Sequence, residues 1–353
     1  FADEGWARLV ELDADADDPA RVWDGQGRGR TAQLFDLNGD TIALGLTDPA
    51  QPNDVFTLDA SGLDGADDDP AVRVTDLNGS FTAAHPAPEH QRVTYENSDG
   101  HTVEAIVYMP DDFDPDADGP RPTIAAIHGG PMSYDAPEFD FPLAYWCSRG
   151  YAVIKPNYRG STSYGRDWAE QLKGTRGDLE ADDVVSGVRQ LVEQGWADPD
   201  RLFCTGFSYG GITTGHIVTQ YHDFAAAAPE HGIYDFYSNF GTDDNHTWHE
   251  WEFGLPWANL DTYRDISSLT DVDAVETPLL ITAGEEDWRC PPTQAEQLYV
   301  SVRKQGVDAK LVIYPGEHHD VGAPRRATHR LEELTAWFEQ HDPEVAGEEA
   351  EAG

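Results

Sequence analysis

Apolar segments that alternate between a strand pattern and a helix pattern follow residue 92, and this alternation constrains the fold more than any other feature. Short apolar runs are typical of buried strands, whereas apolar residues spaced three and four apart indicate amphipathic helices. The strand-like runs cover residues 123–127, 151–155, 201–205, 224–229, 278–283 and 309–314. The helix-like stretches cover residues 178–194, 292–305 and 325–341. This order predicts an α/β fold with a mostly parallel sheet, helices on both faces, and ligands bound beyond the carboxyl ends of the strands.

The first 82 residues follow a different pattern, in which short strand-like runs are separated by Asp, Gly, Asn and Pro clusters without a helical period. About five such strands amount to one blade of a β-propeller with a remnant of another, although a small independent sandwich also fits. Residues 83–91, AAHPAPEHQ, read as a proline-bearing linker. We therefore predict an all-β segment over 1–82, an α/β domain over 92–342 and an acidic disordered tail over 343–353.

The net charge of −43, from 66 acidic and 23 basic residues, excludes two classes of partner. Such a surface repels nucleic acids and anionic membranes. Carboxylates are distributed along the whole chain rather than confined to its acidic end. An acidic, lysine-poor surface of this kind is typical of a protein adapted to molar salt, where screening removes the self-repulsion.

Cysteine usage and apolar run length indicate the compartment. The three cysteines, Cys147, Cys204 and Cys290, are odd in number and widely spaced, so they offer neither a disulfide framework nor a zinc site. That pattern fits a reducing compartment, and we expect a cytoplasmic protein. The longest apolar runs are too short to cross a bilayer.

The stretch FCTGFSYGGITTGH, residues 203–216, places Ser208 between two glycines, after a strand-like run and before a helix-like one. A bare G-x-S-x-G pattern is weak, since a tight turn can contain a serine. The strand-turn-helix context strengthens it, because this arrangement raises a serine hydroxyl above the sheet edge in α/β hydrolases. The amides at the start of the following helix favour developing negative charge. Ser208 is therefore a candidate nucleophile.

An unactivated serine is a poor nucleophile, so a base and an orienting carboxylate are required. In hydrolases with this kind of sheet they follow the serine in the order Asp or Glu, then His, on loops after strands. The run 278–283 leads into Asp287, with Glu285 and Glu286 as alternatives. The run 309–314 leads into the adjacent histidines 318 and 319.

A glycine-rich loop, HGGPMSY, directly follows the strand-like run 123–127. Loops of this kind contribute one backbone amide to an oxyanion hole, and the residue after the nucleophile, here Tyr209, contributes the other. Each such donor is worth about 3 kcal/mol in rate. A simple turn at the end of a strand is the alternative reading of HGGP.

Six motifs occur in an order and spacing that resemble the catalytic domain of the prolyl oligopeptidase family. They are HGGP, NYRGSTSYGRDW, GDLEADDV, GFSYGG, GEEDWRCPPTQAEQLYVSVRKQG and YPGEHHD. The resemblance is to its acylaminoacyl-peptidase and dipeptidyl-aminopeptidase branch and covers residues 92–341 almost continuously. It implies an α/β-hydrolase fold with Ser208 as nucleophile, Asp287 as the acid and His319, rather than His318, as the base. The amides of Gly130 and Tyr209 would form the oxyanion hole.

Family members also carry an N-terminal propeller. Two stretches of this chain resemble its last blade, LNGDTIALGLTDPAQPNDVFTLD and VTDLN. Most of that propeller is absent, so we interpret the chain as a C-terminal fragment or an incomplete gene model.

The resemblance further implies that the stretch NHTWHEWEFG is an aromatic segment of the specificity pocket. Its candidate substrate-binding residues are Trp248, Trp251 and Phe253. The alternative for this stretch is a metal site at His246, His249 and Glu250, but a third well-placed ligand is not apparent.

These observations predict a serine peptidase that cleaves short peptides through an acyl-enzyme intermediate, without cofactor or metal. A carboxylesterase of the same fold is the alternative, because the same residues serve either leaving group. A binding module on an inactive hydrolase fold would lack a member of the triad, and none is missing. The expected partner is a peptide substrate, and self-association stays open.

Overall fold

The computed structural model describes residues 2–12, 19–23, 29–61, 70–111 and 113–345. Its centre is a sheet of eight strands, β9 to β16. Their bounds are β9 Glu89–Glu96, β10 Thr102–Met109, β11 Arg121–Ile127, β12 Ala152–Asn157, β13 Ala197–Phe207, β14 Ala226–Glu230, β15 Leu279–Gly284 and β16 Ala309–Tyr314. All six predicted strands are present, and the expected α/β-hydrolase fold is confirmed.

The strands lie in the order β16, β15, β14, β13, β11, β12, β10, β9. Neighbours from β16 to β12 are parallel, whereas β10 pairs antiparallel with both β12 and β9. Sequence analysis missed the β9–β10 hairpin, although Asp99 and Gly100 form a turn signal between two runs rich in β-branched residues. Because β9 begins at Glu89, it starts inside the predicted linker of 83–91.

Helices cover both faces of this sheet. They are α2 Pro115–Asp118, α3 Phe141–Ser148, α4 Arg166–Ala169, α5 Asp178–Glu193, α6 Tyr209–Gln220, α7 Phe236–Asn239, α8 His246–Phe253, α9 Leu260–Asp265, a 3₁₀ helix Ser268–Ala274, α10 Pro292–Gln305 and α11 Pro324–Gln340. The predicted helices 178–194, 292–305 and 325–341 correspond to α5, α10 and α11. Side chains of α5, α6 and α10 pack on one face of the sheet, and those of α3 and α11 pack on the other.

Successive residues of a strand point to opposite faces, and β10 shows how the two cores are built. Val103, Ala105 and Val107 lie in the core beneath α5, whereas Ile106 and Tyr108 lie in the core beneath α3. Both sets are almost completely buried. The sheet is therefore a rigid platform whose carboxyl edge carries the loops that follow each parallel strand.

A small antiparallel all-β segment precedes the sheet. Its elements are β1 Ala2–Asp3, β2 Trp6–Ala7, β3 Leu9–Leu12, β4 Pro19–Trp23, β5 Thr31–Asn38, β6 Thr41–Asp48, β7 Gln51–Asp59, β8 Val72–Arg73 and a short helix α1 Gly79–Thr82. Strands β5 to β8 form a four-stranded meander. Its core contains Leu44, Leu46 and Leu58. The likeness of this segment to a propeller blade stays a prediction.

Two further observations concern the ends and the surface. Residues 346–353 of the predicted acidic tail lie outside the described residues, whereas Glu344 within the predicted tail pairs with Arg201. Among the described residues, the helices are all too short or too polar to span a membrane.

Candidate active site

Ser208 lies between the end of β13 and the start of α6, at the carboxyl edge of the sheet. Its backbone has φ 61° and ψ −118°, a conformation that residues other than glycine rarely adopt. The strain persists because the Ser208 amide donates to the Glu230 carbonyl at 2.9 Å and the Ser208 carbonyl accepts from Ile212 N at 3.0 Å. The turn therefore presents the Ser208 hydroxyl above the sheet.

Two glycines make this turn possible. A Cβ on Gly206 would stand 2.5 Å from the carbonyl carbon of Gly210, and a Cβ on Gly210 would stand 2.1 Å from the Ile127 carbonyl oxygen. No side chain fits at such distances, so the serine is flanked by glycine because strand β13, helix α6 and strand β11 approach closely there.

Ser208, His319 and Asp287 form a continuous chain of hydrogen bonds. The Ser208 Oγ lies 2.7 Å from His319 Nε2. On the other side of the ring, His319 Nδ1 lies 2.8 Å from Asp287 Oδ2. Because an ionised carboxylate only accepts, Nδ1 carries the proton and Nε2 is left to accept from the serine hydroxyl. This arrangement can remove a proton from Ser208 as its oxygen attacks a carbonyl.

Asp287 is 2 % exposed and accepts four hydrogen bonds. Its Oδ1 accepts from the backbone amides of Arg289 and Cys290, at 2.9 and 2.8 Å. Its Oδ2 accepts from the ring nitrogens of His319 and His231. Burial alone would raise the pKa of Asp287, but the hydrogen bonds from His231, His319 and Cys290 outweigh burial and hold that pKa well below its ordinary value. The carboxylate is therefore ionised at neutral pH.

The sequence alternatives lie elsewhere on the same loops. Glu285 and Glu286 are exposed, and His318 is exposed as well. Glu285 Oε2 accepts from the Gly316 amide at 3.0 Å, and His318 Nδ1 donates to the Glu286 carbonyl at 2.9 Å. Neither contact involves Ser208.

The glycine-rich loop after β11 lies against the serine turn. A Cβ on Gly129 would stand 3.0 Å from the Phe207 carbonyl oxygen and 3.4 Å from Ser208 Cβ. The backbone amides of Gly130 and Tyr209 donate to no acceptor within the described part of the chain. Both amides are thus available to a negatively charged oxygen formed next to Ser208.

The loop that carries Gly130 is anchored on its far side. Asp135 N donates to Asn157 Oδ1 at 2.7 Å, and the Asp135 carboxylate pairs with the buried Lys155 at 3.0 Å. Thr162 N donates to the Ser133 carbonyl at 2.8 Å. These bonds fix the loop without using the Gly130 amide.

Two aromatic residues of α8, Trp248 and Phe253, contact a buried arginine. The Arg176 guanidinium lies over the rings of Tyr209, Trp248 and Phe253 at 5.3, 5.3 and 5.1 Å from their centroids. Phe253 is 5 % exposed, whereas Trp251 is 69 % exposed and lies beside Lys173. These contacts link α8 to Tyr209, next to the serine, and the role of the three aromatics in binding substrate stays a prediction.

Metal ligation has one candidate group among the described residues: His231, Asp287 and His319. Hydrogen bonds between the same ring nitrogens and the same carboxylate already account for that cluster. His246, His249 and Glu250 do not form a ligand group within the described ranges. Burial, aided by Arg176, outweighs Asp243 and keeps the pKa of His249 low. We assign no metal to either place.

His231 was missed by sequence analysis. It follows β14, the strand between those that lead to Ser208 and Asp287, and a histidine directly after a buried parallel strand was the available signal.

Comparison with protein families decides the relationship. The model of the prolyl oligopeptidase family, Peptidase_S9, matches residues 137–342, which is more than half of the chain. The chain belongs to the prolyl oligopeptidase family. The matched region begins in the loop that carries Gly130 and includes the serine turn, the Asp287 loop and the His319 loop.

Individual relatives agree with this assignment. The uncharacterized peptidase YuxL of Bacillus subtilis is 31% identical over 315 residues, which are 87% of this chain and 47% of that protein. The acylamino-acid-releasing enzyme of Mus musculus is 29% identical over 77% of this chain and 38% of the enzyme. A puromycin-hydrolyzing peptidase of Mycobacterium tuberculosis superposes with a TM-score of 0.80 at 25% identity, over 96% of this chain and 51% of that structure. The chain thus spans about half or less of the length of these relatives.

Proposed function

We propose that this chain is a serine peptidase of the acylaminoacyl-peptidase or dipeptidyl-peptidase type and that it hydrolyses short peptides. The observation that carries the proposal is the chain of hydrogen bonds from Ser208 Oγ through His319 to Asp287, at 2.7 and 2.8 Å. Family membership and the relatives named as peptidases support the choice of an amide bond as the target.

In the proposed mechanism, Ser208 Oγ attacks the substrate carbonyl while His319 Nε2 takes its proton. The amides of Gly130 and Tyr209 donate to the resulting oxyanion. His319 then returns the proton to the leaving amine, which leaves an acyl-enzyme. Water, deprotonated by the same nitrogen, releases the acid and restores the serine. Asp287 stays ionised throughout, keeps the Nδ1 proton in place and stabilises the imidazolium.

A carboxylesterase of the same fold is the second candidate function, because the same residues would cleave an ester. Substrate comparison separates the two: turnover of acylaminoacyl and dipeptidyl anilides supports a peptidase, and turnover of fatty-acyl esters alone supports an esterase. Comparing an anilide that has a blocked N-terminus with one that has a free N-terminus distinguishes acylaminoacyl from dipeptidyl cleavage.

Ser208→Ala tests the mechanism. We expect kcat on the preferred anilide to fall by about 10⁶-fold while the melting temperature is kept, because the hydroxyl does little for packing. A fluorophosphonate probe should label the wild-type protein on Ser208, as located by mass spectrometry of the peptides. Wild-type turnover by Ser208→Ala would overturn the proposal.

We also propose a reducing, cytoplasmic location and adaptation to high salt. The three free, buried cysteines support the first, and the distributed negative charge supports the second. Light scattering would measure the oligomeric state directly. No cofactor enters the proposed chemistry.

A further inference from the structure

A second histidine shares the carboxylate oxygen that orients His319. His231 Nδ1 lies 3.0 Å from Asp287 Oδ2, the atom that His319 Nδ1 also contacts at 2.8 Å. The side chains of His231 and Asp287 are both fully buried. Since the carboxylate only accepts, both imidazoles donate their Nδ1 protons to one oxygen.

This second donor completes the restraint on the carboxylate. Two backbone amides, those of Arg289 and Cys290, hold Oδ1. Without His231, Oδ2 would have His319 as its sole donor among the described residues. The carboxylate could then tilt away from the imidazole plane while Oδ1 stayed in place.

The His231 ring also contacts the serine turn. It stacks on Phe207, the residue before Ser208, with ring centroids 4.4 Å apart. Phe207 in turn lies 5.3 Å from the His319 ring. One imidazole therefore joins the strand that ends at the nucleophile to the loop that carries the acid.

The other ring nitrogen of His231 makes no comparable contact. Its Nε2 is buried and has no hydrogen-bond partner among the described residues. A buried polar atom without a partner costs free energy, so the polar character of this ring is useful at Nδ1 alone. An apolar ring would pack at this place without that cost, but it could not donate to Asp287.

The backbone at His231 limits what can replace it. His231 has φ 48°, and its amide donates to the Thr282 carbonyl at 2.8 Å. Among residues other than glycine, Asn, Asp and His adopt positive φ most readily. Asn is therefore the informative replacement, because it tolerates this backbone and places an amide N–H near the position of Nδ1.

We propose that His231 is a positioning residue, whose Nδ1–H holds Asp287 Oδ2 against His319 so that His319 keeps the orientation needed to take the Ser208 proton. The inference rests on the proposed serine-hydrolase function. It gives His231 no contact with substrate, so its effect belongs in kcat and not in KM.

The test compares His231→Phe, which keeps a ring but removes the donor, with His231→Asn, which keeps a donor but removes the ring. His231→Gly separates donor loss from backbone strain, because glycine accepts the φ of 48° freely and has no donor, so its kcat should fall as that of His231→Phe does. His216→Phe is the matched control: His216 is also buried in the same domain, and its Nε2 donates to the Ile266 carbonyl at 3.2 Å, away from the triad. Steady-state kinetics on the anilide substrate and melting temperatures are measured for each, with Ser208→Ala alongside.

We expect His231→Phe to lower kcat by about 10- to 100-fold with KM unchanged, since a small misplacement of a reacting group has effects of that order. His231→Asn should recover most of the lost kcat. His216→Phe should lower the melting temperature and keep kcat.

Proton NMR of protein labelled with ¹⁵N-histidine gives a readout that packing alone would not move. Protons in strong N–H to carboxylate hydrogen bonds resonate far downfield. The wild-type protein should show two such imidazole signals from this site. The His319 signal should keep its position in His231→Asn and shift in His231→Phe, which lacks the second donor to Asp287 Oδ2.

Three outcomes would overturn the inference: full kcat in His231→Phe, equal loss in His231→Asn and His231→Phe, or an equal loss in His216→Phe. If Ser208→Ala keeps wild-type turnover, the proposed function itself is wrong. Inactive Ser208→Ala together with fully active His231→Phe removes the role of His231 and leaves the proposed function intact.

Discussion

His318 and His319 are neighbours in the chain but lie in different surroundings. The His319 ring bridges Ser208 and Asp287, whereas the His318 ring is exposed and donates to the Glu286 carbonyl. A base must reach the proton that it removes, so the two histidines cannot exchange roles without rebuilding the loop.

Replacing each histidine by alanine measures this difference. We expect His319→Ala to lower kcat by about 10⁶-fold, because the nucleophile loses its base. His318→Ala should keep at least about a tenth of wild-type activity, as an exposed surface change generally does. The reverse ranking, measured on the same anilide, would show that the wrong histidine has been assigned.

Asp287→Asn tests the orienting carboxylate. The asparagine amide has one acceptor oxygen instead of two and has no negative charge to stabilise the imidazolium. We therefore expect kcat to fall by about 10⁴-fold, less than for replacement of the serine or the histidine. Asp320→Asn, an exposed change on the His319 loop, is the matched control and should keep activity. A wild-type kcat for Asp287→Asn would contradict the assignment.

At the scale of elements, an ion pair between the half-buried Arg330 and the buried Glu230 joins α11 to the centre of the sheet. The Arg330 guanidinium on α11 donates to both oxygens of Glu230 at the end of β14, at 2.5 and 2.6 Å. The hydroxyls of Thr205 on β13 and Thr282 on β15 donate to the same carboxylate, each at 3.2 Å. Because Glu230 also holds the Ser208 amide through its carbonyl, this pair stabilises the platform under the nucleophile.

Arg330→Met should therefore destabilise the fold by about 3 kcal/mol, because it leaves a buried carboxylate without its cation. The double variant Glu230→Gln with Arg330→Met should recover part of that loss, because the glutamine carries no buried charge, accepts one threonine hydroxyl through its oxygen and donates its amide N–H to the other. Chemical unfolding at constant high salt measures both values. Equal stability of Arg330→Met and the wild type would rule out a structural role for the pair.

At the scale of the whole molecule, the all-β segment contacts the loop that carries Gly130. Gln33 Nε2 donates to Glu138 at 2.6 Å, and Phe139 N donates to Thr47 Oγ1 at 3.2 Å. Thr31 Oγ1 donates to the Pro137 carbonyl at 3.4 Å. The segment thus stabilises the same loop that Lys155 and Asn157 anchor from the sheet side.

Salt dependence also belongs to the whole molecule. The Debye length is about 30 Å at 0.01 M and about 3 Å at 1 M, so the repulsion among an excess of 43 negative charges is nearly removed at molar salt. We expect melting temperature and activity to rise with sodium or potassium chloride and to collapse in dilute buffer.

Removing residues 346–353 is the matched control, because it takes away three of the carboxylates, Glu348, Glu349 and Glu351. The salt effect should survive this deletion. A melting temperature independent of salt between ~0.05 M and ~2 M would rule out adaptation to salt and leave the triad proposal untouched.

Local sequence patterns determined the elements and their order. Apolar spacing located the six parallel strands and helices α5, α10 and α11, since secondary structure depends on the periodicity of neighbouring residues. The glycines around Ser208 indicated the strained turn, because so close an approach of backbone excludes a side chain at Gly206 and Gly210. The charge excess is likewise a property of sequence alone.

Contacts between loops were decided by the tertiary structure. The pattern alone did not decide which carboxylate, Asp287, Glu285 or Glu286, orients the base, or which of His318 and His319 is the base. Family resemblance pointed to Asp287 and His319. The fold joins those two side chains to Ser208 by hydrogen bonds. His231 reaches Asp287 because β14 lies between β13 and β15 in the sheet. That strand order arises from packing across the whole domain, and residues 56 positions apart in the chain carry no local periodicity that could indicate their contact.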